Sequence, residues 1–368
     1  MTHQTVRIAR VGIRSWELPL ERPLRVGGRL LERRAGLLVV IDDGEGHSGI
    51  GEASPLPGLH AETLEEAAAQ LLALAEQLEG TAIPDGCPAL EGAFDRWLGG
   101  RGLHPSVRTG IEGAVLTLLA DRGGTDLPQL LAAKPAALVR LNGLLDGSMN
   151  AMLDSALLLA DQGYPSLKIK VGRRDPGDEA ELVLTVRALV GPAVALRLDA
   201  NRAWDLPTAE YFAERVAPAG VEYLEEPLRD YNDLADFVVQ TALPVALDET
   251  LLRFSPQAPP PLDGVAALIL KTSVLGGYEH ALAWVRLARR ERLSAVVSAA
   301  FPGAVGLALD VAFAAAFGGE TDHGLGTAGA FSADLWRSQL AIERGCIDAS
   351  RLPFRPGDFD LGKTNVLR

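Results

Sequence analysis

The chain has 368 residues, 48% of them apolar, and carries a net charge of −13. That length accommodates a barrel of about 250 residues plus a second domain, and the apolar share excludes wholesale disorder. The acidic balance excludes a nucleic-acid partner, which needs a basic footprint. Cys87 and Cys346 stand far apart without metal-ligand spacing and read as reduced thiols. No stretch approaches the ~20 apolar residues of a membrane span, and residues 1–7 hold no apolar leader, so a cytoplasmic protein without membrane insertion is expected.

Between Val6 and Glu52 apolar and polar residues alternate, and Asp43-Gly44 supplies a turn, which predicts an antiparallel meander. Residues 22–29, rich in Gly and Arg, read as a surface loop, or as a lid whose arginines, Arg25 among them, meet an anionic substrate. The stiff turn at 52–58 leads into a helix over 61–77. A second helix is expected over 106–123, with Ile111, Val115, Leu118 and Leu119 on one face. A short helix at 127–133 ends before Pro135, ahead of a first barrel strand at 138–141.

From Leu167 onward, five short apolar segments each end in residues that bind cations or move protons: Lys168 and Lys170, Asp199, Glu225, Asp248 and Lys271. The steps from 170 to 199, 225, 248 and 271 are 29, 26, 23 and 23 residues. Each step fits one strand, a loop, a helix and a return loop, which is a βα unit. A seventh strand is expected at 294–298, a long apolar helix at 307–317 and a less regular eighth unit ending near 323–327. The expected fold class is α/β: a (β/α)7-8 TIM-type barrel over 135–327, with an N-terminal α+β capping domain over 1–134 completed by the C-terminal tail, 328–368.

In a parallel barrel the C-terminal ends of the strands converge, so these polar ends share one site. Asp199, Glu225 and Asp248 then offer an all-oxygen ligand set that suits Mg2+. Lys168 and Lys170, two residues apart on one strand, point to the same side. Two ammonium groups so close, beside a divalent cation, are expected to lower each other's pKa, which lets a lysine accept a proton. Lys271 approaches from across the barrel. Together these groups suit removal of a proton α to a carboxylate, with the enediolate held by positive charge, so the expected partner is a small anionic carboxylate substrate. Oligomeric state is not legible.

At Lys168-Ile169-Lys170, Asp199-Ala200-Asn201, Glu225-Glu226-Pro227, Asp248-Glu249 and Lys271 the chain resembles the enolase superfamily, muconate-lactonizing-enzyme subgroup. The resemblance implies Mg2+ on Asp199, Glu225 and Asp248, Lys170 as catalytic base and Lys271 as the lysine on the opposite face. Lys168, Asn201 and Glu249 match supporting positions. Within the subgroup, residues 51–58, 139–145 and 323–327 are similar to the o-succinylbenzoate synthase family, which implies a Mg2+-dependent syn dehydration. One departure concerns the loop after the seventh strand, where the family's Glu-Ser pair is replaced by Pro302-Gly303. Ser298 there remains able to bind a carboxylate. A racemase of N-succinyl amino acids would use the same two lysines. A non-catalytic binding barrel would be expected to have lost a ligand or a lysine, and none is lost.

Overall fold

The computed structural model describes residues 5–338 and 340–368. It opens with the expected meander of β1 (Arg10–Val26), β2 (Arg29–Asp42) and β3 (Ser48–Ala53), all antiparallel. The Asp43 turn joins β2 to β3, with Asp43 Oδ1 accepting from the amides of Glu45 and His47.

Residues 22–29 are not a loop. The first two strands continue through them as a hairpin whose turn is Gly27-Gly28, at φ +54° and +75°. Two successive left-handed residues make the tight turn that matches strand twist, and glycine adopts them without penalty. The Gly-Arg composition concealed a two-residue turn and a register break between Pro19 and Leu24.

Helix α1 (Leu64–Leu78) starts at Thr63, whose side chain accepts from the Glu66 amide while Glu66 reaches back to the Thr63 amide. That reciprocal cap satisfies two of the orphan donors of a helix start. After α2 (Ala93–Leu98) comes α3 (Pro105–Gly123), buried almost all round because it lies between the meander and the rest of the molecule. Its backbone touches β3: a Cβ on Gly49 or on Gly51 would stand 2.0 Å from the carbonyl oxygen of Ala114 or Gly110. The short α4 (Leu127–Leu131) follows.

The first barrel strand differs from expectation. The apolar run divides at Leu141: β4 (Leu138–Arg140) leaves the barrel, and β5 (Asn142–Leu145) enters it. Then, in order, come α5 (Met149–Asp161), β6 (Ser166–Lys170), α6 (Pro176–Val190), β7 (Ala195–Asp199), α7 (Leu206–Val216), β8 (Tyr223–Glu225), α8 (Leu234–Thr241), β9 (Val245–Leu247), β10 (Val265–Leu270), α9 (Thr272–Leu275), α10 (Tyr278–Glu291), β11 (Ser294–Val297) and α11 (Ala304–Phe317). Strands β5 to β11 form one parallel sheet in chain order.

Residues 323–324 take the eighth place. The His323 amide donates to Arg140 and the Asn142 amide to His323, while Gly324 exchanges backbone hydrogen bonds with Val297 and Ala299, all at 2.8–2.9 Å. The sheet therefore closes. His323 is 1% exposed, and its Nδ1 accepts from the Val297 amide. Burial, with Arg197 and Arg140 nearby, pushes its pKa down to about 3, so it stays neutral and can accept.

The C-terminal residues return to earlier elements. Strand β12 (Cys346–Asp348) pairs antiparallel with β4, and β13 (Asn365–Val366) adds to the meander beside β1. Among the described residues, no helix is long and apolar enough to cross a membrane.

Candidate active site

The register places the polar strand ends at one level. Lys170, Asp199 and Glu225 are direct cross-strand partners on β6, β7 and β8. Asp248 follows the last residue of β9, and Lys271 follows the last of β10. Each charge sits where an apolar strand meets the barrel mouth, which is how the sequence can bury it among other charges rather than in the core.

The side chains interlock. Lys170 Nζ donates to Asp199 Oδ2 at 2.5 Å and to Asn201 Oδ1 at 2.8 Å. Lys168 Nζ lies 2.8 Å from Asp199 Oδ2 and 2.7 Å from Glu225 Oε2, and Lys271 pairs with Asp248. Asn201, at φ +45°, also donates through Nδ2 to Glu249 Oε1 at 3.1 Å, linking Lys170 to the far side of the cluster. Every lysine, carboxylate and supporting residue expected from the motifs is thus in one constellation.

The electrostatics reverse one expectation. Burial lowers the Lys168 pKa, but Asp199, Glu225 and Asp248 outweigh it and hold the group well above the ordinary lysine value. Lys271 likewise is raised, since Asp248, Glu249 and Glu225 overcome the cost of burial. The sequence suggested that neighbouring ammonium groups would depress each other. In the structure Lys168 lies against Asp199 and Glu225, and opposite charge at contact distance prevails there. Asp199 shows the counterpart: burial opposes its ionisation, but Lys168 and Lys170 hold its pKa far below the usual carboxylate range. Glu225 is pushed well up, by burial first and then by the charge of Asp199.

The fit to a metal can be judged from these groups. Among the described residues no three acidic, His or Cys side chains converge into one ready-made ligand cluster, because the lysine ammonium groups stand among the carboxylates. Yet Glu225 is wholly buried, and its charge is destabilised by both Asp199 and Asp248. Carboxylates that repel one another, all hard oxygen donors, fit a small divalent cation such as Mg2+.

Three further residues gain a role only in the fold. Glu226, at φ +42°, accepts from the Asp248 amide (2.8 Å), the Thr250 amide (2.7 Å) and the Thr250 hydroxyl (2.8 Å), and so fixes the backbone that carries Asp248. Burial pushes its pKa up to about 7. Thr250, 1% exposed, completes that clamp. Leu144 is the register partner of Lys168 and shares its face, 44% exposed, as an apolar wall beside the lysines. The doubled acid Glu225-Glu226 hinted at the first; nothing local marked the others.

The expected substrate contacts are less central. Ser298 follows β11 at the mouth, half-buried against Gly324, where an added Cβ would lie 2.7 Å from the Ser298 hydroxyl. Arg25 is exposed next to the hairpin turn, paired with Leu30 through the strand ladder, and its side chain makes no hydrogen bond or ion pair among the described residues. A cavity of about 590 Å3 opens at the opposite end of the barrel, lined by Arg140, Arg197, Arg289, Glu222 and Asp322. It is the wrong place for this chemistry, since its arginines are already engaged by Asp322, Glu222 and the Phe317 carbonyl.

Residues 151–357, more than half of the chain, match the family model of enolase C-terminal domain-like proteins, and residues 8–91 match the MenC N-terminal domain. An o-succinylbenzoate synthase of Citrobacter koseri is 34% identical over 320 residues, covering 85% of this chain and 88% of that protein. Protein PHYLLO, chloroplastic, of Arabidopsis thaliana is 31% identical over 84% of this chain, which spans only 20% of PHYLLO. The solved N-succinyl Arg/Lys racemase of Bacillus cereus superposes with a TM-score of 0.83 at 19% identity, over 98% of this chain and 100% of that one, a likeness of fold. The chain therefore belongs to the enolase superfamily, in its muconate-lactonizing-enzyme subgroup, and is an enzyme of the carbon–oxygen lyase class.

Proposed function

We propose that the chain is an o-succinylbenzoate synthase, converting 2-succinyl-6-hydroxy-2,4-cyclohexadiene-1-carboxylate to o-succinylbenzoate by loss of water, as in menaquinone biosynthesis. The observation that carries this reading is the pair of lysines, Lys170 from β6 and Lys271 past β10, set on either side of the carboxylates of β7 to β9. The relatedness to the Citrobacter koseri synthase supports it.

Asp199, Glu225 and Asp248 would hold Mg2+, which when bound supplies positive charge to the substrate carboxylate as its α-carbon is deprotonated. Lys170 takes the α-proton at Nζ, oriented by Asn201. The electrons of the broken C–H bond pass to the carboxylate as an enediolate and return to form the ring double bond as the hydroxyl leaves. Lys170 delivers the same proton to the departing hydroxide, so water is the only other product, and the removal is syn. Lys271 stays charged, as its raised pKa favours, and stabilises the enediolate from the other face. Ser298 donates to a substrate carboxylate, and Leu144 lies along the apolar ring.

The test is ultraviolet turnover of the cyclohexadiene substrate with and without EDTA, beside polarimetry on N-succinyl amino acids. Fast dehydration that EDTA abolishes, without racemisation, is the expected result. Racemisation without dehydration would move the function to an N-succinylamino-acid racemase. Neither activity would return the chain to the reading of a binding barrel.

A further inference from the structure

Glu52, on β3 of the N-terminal meander, is 4% exposed. Its carboxylate reaches the start of α11, in the barrel, where Oε1 accepts from the Gly303 amide at 2.6 Å and Oε2 from the Gly306 amide at 2.9 Å. Helix α11 has Gly303 at its cap position and no side-chain cap of its own. A carboxylate from another part of the chain therefore satisfies its first amides, in the arrangement that a helix dipole favours.

A second buried group holds the other end of the same loop. Arg34, 2% exposed, donates through Nε to the Phe301 carbonyl at 3.1 Å and through its other nitrogens to the carbonyls of Ser54 (2.9 Å) and Pro55 (3.1 Å). Phe301 has φ +51°, a conformation that a bulky residue keeps only when its surroundings impose it. Gly303 fits tightly: a Cβ there would stand 3.0 Å from the Trp16 ring and 3.2 Å from Glu52 Oε2. The glycine leaves room for Trp16 and Glu52.

We propose that Glu52, with Arg34, is a positioning residue: from the meander it sets the course of residues 298–303, and through them the Ser298 hydroxyl that meets the substrate. The inference rests on the reading of Ser298 as a substrate contact. The N-terminal domain thereby governs a barrel loop without touching the reacting atoms.

The test compares Glu52→Gln, Arg34→Lys and Ser298→Ala, alone and with Glu52→Gln added to Ser298→Ala. Glu52→Gln keeps the shape but offers an amide nitrogen to one of two N–H donors. It is expected to speed amide exchange over 303–306 and to raise KM about tenfold while kcat stays within a factor of about three. In the Ser298→Ala background it should raise KM no further. Arg34→Lys should move KM in the same direction, and carries the test if Glu52→Gln does not fold. Faster exchange with unchanged KM, unchanged exchange, or additive KM effects would each overturn the proposal. Exchange needs no substrate, so its outcome is separate from that of the dehydration assay. If the wild type only racemises, KM is read in that assay.

Discussion

The two ends of the barrel handle charge differently. At the N-terminal end, Arg197 is 1% exposed and fully committed: it holds both oxygens of Glu222 at 2.7 and 3.3 Å, the Asp322 carbonyl at 2.6 Å and the Thr321 hydroxyl at 3.2 Å, and stacks over the Tyr223 ring. Arg140 pairs with Asp322, and His323 is kept neutral. There Arg197 with Glu222 and Arg140 with Asp322 form one-to-one pairs. At the mouth, Asp199 is shared by two lysines, Lys168 divides itself between two carboxylates, and Glu249 keeps a buried oxygen without a hydrogen bond. Closed pairing serves rigidity; shared and incomplete pairing leaves groups able to take a cation or a substrate.

The sharpest way to break this contrast is at Lys170. Lys170→Ala should lower kcat by about 10³-fold or more, the span of a lost general base, while calorimetry still detects Mg2+ binding. Near-full activity in this variant would remove the base from the mechanism. At the other end the effect should be on stability instead. Arg197→Met should cost about 3 kcal/mol in denaturant unfolding, since it strands the Asp322 carbonyl and Glu222, with kcat/KM unchanged within a factor of about three. Glu222 is partly exposed, so solvent screens part of that loss. A catalytic defect without loss of stability would show that the two ends are not separate in role.

The smallest effect expected is at the clamp beneath Asp248. Glu226→Gln should weaken Mg2+ binding about tenfold, in the range seen when a group orienting a metal ligand is altered. The readout is the calorimetric Mg2+ affinity, independent of turnover. An unchanged affinity would reduce the Glu226 contacts to loop packing.

Much of the mouth was legible because its signal is local. An apolar strand ending in a lone charge is costly unless the charge has a task, and such ends recurred at βα spacing from Lys170 to Lys271. What escaped had no local mark. Residues 138–141 read as a barrel strand because they are apolar, but β4 pairs with β12, some two hundred residues later, and the barrel strand begins at Asn142. Residues 22–29 read as a loop because two glycines in a hairpin turn look like any flexible stretch.

The sequence by itself determined the periodicity of the barrel, the order of acids and lysines around it and the all-oxygen chemistry of the proposed ligand set, since all three are written in residue type and spacing. Tertiary structure alone decided the rest. It closed the barrel through His323-Gly324, placed carboxylates against Lys168 and Lys271 so that both are raised, and brought Glu52 to amides 251 and 254 residues away. Strand-end chemistry depends on neighbours along the chain, whereas protonation and loop shape depend on which charges and amides meet in space, and that is settled only when the chain has folded.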